Sequence, residues 1–72
     1  MFAEIDHHDQ VLRVLFVDPV THQQREVTTL GKVSSRREAT SRLRQANYGV
    51  LGRWRDGESG PVRTVEGDGR TR

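Results

Sequence analysis

The chain has 72 residues, 12 Lys and Arg against 10 Asp and Glu, a formal charge of +2, and no cysteine. That length holds one small domain without an interlobe cleft for a large cofactor, and the lack of cysteine excludes disulfides and thiolate metal sites. No apolar run approaches the roughly 20 residues of a membrane span, and no basic segment leads into an apolar one as in a secretory signal, so a cytoplasmic protein with no membrane partner is expected.

Along the chain, Met1 to Asp9 (MFAEIDHHD) reads as an N-terminal extension or an edge strand. Val11 to Val17 (VLRVLFV) is dense in β-branched residues and ends at Asp18-Pro19, which predicts a strand and a turn. Apolar residues fall on both of its faces, so it belongs inside a sheet or against a partner. Arg25 to Leu30 (REVTTL), closed by Gly31, predicts the returning strand of an antiparallel hairpin with a loop of about six residues.

Ser35 with Glu38 three residues later fits a capping box and predicts a helix from Arg36 to Ala46. Ala39, Leu43 and Ala46 make its narrow apolar stripe. At 100° per residue, Arg36 and Arg42 flank that stripe, while Arg37 and Arg44 point away from it. Asn47 and Gly49 offer a left-handed stop. Tyr48 to Arg55 and Val62 to Glu66 predict a closing hairpin around the turn signals Asp56-Gly57 and Gly60-Pro61, with arginines exposed on it. Phe16, Leu43 and Trp54 are expected in or beside the core. The fold class is therefore α+β: a small single domain over residues 10–66, an antiparallel sheet in the order β-β-α-β-β with one helix on one face. Residues 67–72 carry nothing to bury and are expected to be a disordered tail.

Asp6-His7-His8-Asp9 suggests a metal cluster, but on a strand each face would offer only two ligands where zinc needs three or four. None of Ser34, Ser35, Ser41 and Ser59 stands in a nucleophile elbow, and no spacing pairs a base with a nucleophile. The chain thus reads as a non-enzyme with no catalytic residues, no cofactor, no metal and no small-molecule substrate.

Charge placement is the remaining signal. Residues 1–31 carry two basic and five acidic side chains, whereas Lys32 to Arg55 sets seven basic groups against Glu38 alone. Eleven of the twelve cations are arginine, whose planar fork suits phosphates and guanine edges, although a solvated arginine face is the plain alternative. Arg36, Arg37, Arg42 and Arg44 on the helix, with Arg53, Arg55 and Arg63 on the hairpin, form the candidate nucleic-acid-binding set for DNA or RNA. The second reading is a protein-binding regulator or inhibitor. It would dock on a larger host complex, such as transcription machinery, through the apolar N-terminal hairpin or the basic face. A homodimer through the apolar strand is compatible with either.

Overall fold

The computed structural model describes residues 1–67. Its elements are β1 (Phe2–Asp6), β2 (Val11–Val17), β3 (Gln24–Lys32), α1 (Arg36–Gln45), β4 (Gly49–Asp56) and β5 (Pro61–Glu66). All five strands join one antiparallel sheet in the order β3-β2-β1-β5-β4. The α+β class is as expected from the sequence, as is the single helix among the described residues. The expected tail, apart from Gly67, lies outside the described residues. Among the described residues, no helix is long and apolar enough to cross a membrane.

One element departs from the sequence reading. Residues 1–9 are neither an extension nor an edge strand: β1 is the middle strand, paired with β2 on one side and β5 on the other. Ala3 and Ile5 alternate inward onto the core, and the pleat sends Phe2, Glu4 and Asp6 to the opposite face. The hairpin to β2 is hidden in the sequence because its turn lacks glycine and proline. Asp6 and Asp9 organise it instead, accepting the backbone N–H groups of His8 at 2.9 Å and Val11 at 3.2 Å. Gln10 takes the left-handed conformation, φ 59°, where glycine is the usual choice. The Asp-His-His-Asp segment therefore serves a turn.

The core lies between the sheet and α1. Leu12 and Val14 of β2 are fully buried there with Ala3, Ala39, Leu43 and Val65. Trp54 packs against this cluster from β4. Phe16 does not join it; the ring stays half-buried, with the Arg25 guanidinium 5.8 Å from its centroid. Because the helix contributes Ala39 and Leu43 as its buried side chains, it can lie close to the sheet.

Both ends of α1 are chemically closed. The Ser35 hydroxyl accepts the Glu38 N–H at 3.1 Å, and the Glu38 carboxylate accepts the N–H and hydroxyl of Ser34 at 2.7 and 2.6 Å. The return bond thus reaches one residue earlier than in the usual capping box. At the other end Asn47 sits at φ 67°, its N–H bonds the Arg44 carbonyl, and the Tyr48 N–H bonds the Leu43 carbonyl. That pair of bonds is a Schellman stop, and the accompanying apolar contact is supplied by Leu43 and Tyr48 in the core.

Candidate functional site

The seven arginines singled out by the sequence fall into four environments. Arg42 and Arg63 are half-buried and held by the fold. Arg42 donates to the Leu30 carbonyl at 2.9 Å and pairs with Glu38 at 3.6 Å, tying α1 to the end of β3. Arg63 lies opposite a bulge in β4. The ladder runs from Leu51 beside Thr64 directly to Arg55 beside Val62, so three residues of β4 face one of β5. The Arg63 guanidinium fills that irregularity, donating to the Leu51 carbonyl at 3.4 Å and to the Thr40 hydroxyl at 3.3 Å. The sequence pattern places Arg63 in solvent; the bulge gives it partners that the pattern does not show.

Arg55 occupies the second environment. By register it shares the sheet face that α1 does not cover, with Val62, Glu4 and Phe2. It is therefore separated from the helical arginines by the sheet itself.

The third environment is the outer surface of α1. Arg37, Ser41, Arg44 and Gln45 are exposed and follow one stripe at helical spacing, lining a shallow depression together with Thr40. The two arginines are seven residues apart, about 10.5 Å along the axis at 1.5 Å per residue. Neither makes an ion pair among the described residues. The carboxylate of α1, Glu38, is engaged by Ser34 and Arg42 on another side of the helix, and the Ser34 bonds hold its pKa below the ordinary value. Arg36 is also exposed and pairs at 3.2 Å with Asp56, itself almost fully solvated, a contact of small net strength. Arg53 occupies the fourth environment, exposed within the β4 bulge, where Gly52 takes φ 65°.

Thr40 fixes this surface against the sheet. Its hydroxyl donates to the Arg36 carbonyl at 3.0 Å and accepts from Trp54 Nε1 at 3.0 Å and from Arg63. Trp54 is thereby tied to the helix and packs half-buried against the core, and Tyr48 is buried. Sequence reasoning missed Ser41 and Gln45 as members of the stripe. Their spacing from Arg37 and Arg44 carries the signal, since positions 37, 41, 44 and 45 fall on one side of a helix.

The chain matches no protein-family model, no curated protein and no solved structure.

Proposed function

We propose that the protein is a non-enzymatic module that binds duplex nucleic acid through the outer face of α1. Arg37 and Arg44 are the principal phosphate contacts, Ser41 and Gln45 add hydrogen-bonding side chains, and Arg36 and Arg53 flank them. The observation that carries this reading is the exposed helical stripe with two arginines free of carboxylate partners among the described residues. Such groups can neutralise phosphates without disturbing the core. A duplex suits the face better than a single strand. Single-strand binders stack bases on exposed aromatics, and Trp54 and Tyr48 are committed to the interior side. Arg42 and Arg63 support the surface from behind.

Each phosphate neutralised on B-DNA steepens the dependence of log K on log salt by about 0.9. Anisotropy titrations of a labelled DNA duplex and an RNA duplex, at several salt concentrations, should show salt-dependent binding by the wild-type chain. The double variant Arg37→Ala/Arg44→Ala should bind more weakly, with a slope shallower by about two and an unchanged melting temperature. The two duplexes separate DNA from RNA preference. Failure of the wild type to bind either in low salt overturns the reading.

A further inference from the structure

Helical phase gives α1 a ridge with a defined crest. Its buried side chains are Ala39 and Leu43. At 100° per residue, Ser41 points almost directly away from them, Arg37 and Gln45 lie about 40° to either side of Ser41, and Arg44 lies about 60° away on the Arg37 side. All four are exposed, and no second helix stands beside α1 among the described residues. The ridge stands out from the sheet by about its own diameter of 10–12 Å.

The two flanks of the ridge differ. Trp54 Nε1 donates to the Thr40 hydroxyl at 3.0 Å and the Arg36 guanidinium to the Asp56 carboxylate at 3.2 Å, so β4 runs along the Arg37 and Arg44 side. Its bulge brings Arg53 to that flank as a third arginine. On the other flank the Glu38 carboxylate is drawn back to Ser34 and Arg42, which leaves the Gln45 amide facing outward. Glu38 also closes the N-terminal end with Ser35, so α1 offers a partner its side, not its tip.

We propose, on the footing of the duplex-binding reading above, that α1 lies in the major groove of B-form DNA and reads base edges there through Ser41 and Gln45. That groove is about 12 Å wide and about 8.5 Å deep and admits a helix, whereas the B-form minor groove is only about 6 Å wide. An RNA duplex offers no equivalent, because its major groove is deep and narrow and its minor groove is too shallow to enclose a ridge. One phosphate strand follows the flank of Arg37, Arg44 and Arg53, where the arginines collect. Ser41, short and at the crest, lets the helix come close to the base pairs and hydrogen-bonds either kind of base edge. Gln45 matches the N6 donor and N7 acceptor of adenine, since its amide carries one acceptor and one donor group side by side.

Selection from a randomised DNA duplex pool by the full chain tests this. It should return a short consensus containing adenine, and changing a consensus base pair should weaken binding about tenfold. An RNA duplex of the same sequence should bind about tenfold more weakly or worse. Replacing one consensus adenine by 7-deazaadenine, which lacks the N7 acceptor of the major groove, should weaken the wild type severalfold and leave Gln45→Ala unaffected. Gln45→Ala should lose the preference for that base pair at an unchanged salt slope, whereas Arg37→Ala/Arg44→Ala should keep the preference and lose slope. Duplex binding without a consensus adenine, equal affinity for the RNA duplex, or a wild type indifferent to 7-deazaadenine overturns the inference and leaves phosphate binding by α1 in place. So does a 7-deazaadenine effect that persists in Gln45→Ala at every adenine. Failure to bind any duplex overturns both.

Discussion

Thr40 shows how one hydroxyl can hold three elements in register. It bonds its own helix through the Arg36 carbonyl, β4 through Trp54 and β5 through Arg63. Thr40→Val keeps the shape but strands the indole N–H and one guanidinium donor, a loss of about 1–3 kcal/mol. Thermal denaturation should register that loss, with Thr40→Ser close to wild type and a Trp54 fluorescence shift in the valine variant only. Carboxylates do comparable work in the turns. Asp6 is held below its ordinary pKa by the His8 N–H and by Arg13, Asp18 by the N–H groups of Val20 and Thr21, and Glu38 by Ser34. A depressed folded pKa means that protons bind the unfolded chain first. The stability these groups contribute is therefore complete above about pH 5 and lost as pH falls below about 4. The melting temperature should follow that acid limb, and Asp18→Asn should make it shallower. A melting temperature that rises on acidification would contradict the assignment.

The elements differ in how openly the sequence announces them. β2 is legible because its β-branched run stops at Asp18-Pro19, and α1 because Ser35 and Glu38 mark its start three residues apart and Ala39 and Leu43 supply the buried stripe. β1 is obscured by a turn built from side-chain carboxylates, with Gln10 in a left-handed conformation. Bulges are hidden for a different reason, since a register shift depends on both strands of a pair and leaves little trace in either one. Glycine reports some of this geometry. At Gly60, φ is 141° and an added Cβ would collide with the Ile5 carbonyl oxygen, at the crossing from the β4–β5 turn to β1. Gly52 also has positive φ, but an added Cβ there meets open space. Gly60→Ala should therefore cost about 4 kcal/mol or more. Gly52→Ala should cost only about 1–2 kcal/mol, from the left-handed backbone alone. Denaturant melts of the two variants measure the contrast directly, and equal losses would contradict the account of the β4–β5 turn.

At the scale of the molecule, a slab only 21 Å thick presents two unlike surfaces. One bears the helical arginine stripe; the other is the sheet face away from α1, which carries apolar side chains and charges of both signs and is covered by no other element among the described residues. Helical phase in the sequence separates outward Arg37 and Arg44 from flanking Arg42, so part of the candidate site is legible in the residues alone. The remainder is not, because a guanidinium looks the same in sequence whether it meets solvent or a carbonyl freed by a bulge. Arg63 is drawn inward by Thr40 and Leu51, and Arg55 is carried to the opposite face by strand alternation. The most direct test of the proposed nucleic-acid face is an ¹⁵N-resolved NMR titration of the chain with a short DNA duplex. Amide shifts should concentrate on Arg36 to Gln45 and around Arg53, leaving Phe2, Leu15 and Thr64 unmoved. Perturbations centred on the sheet face away from α1, or none at any residue, would contradict the claim that the outer face of α1 binds nucleic acid.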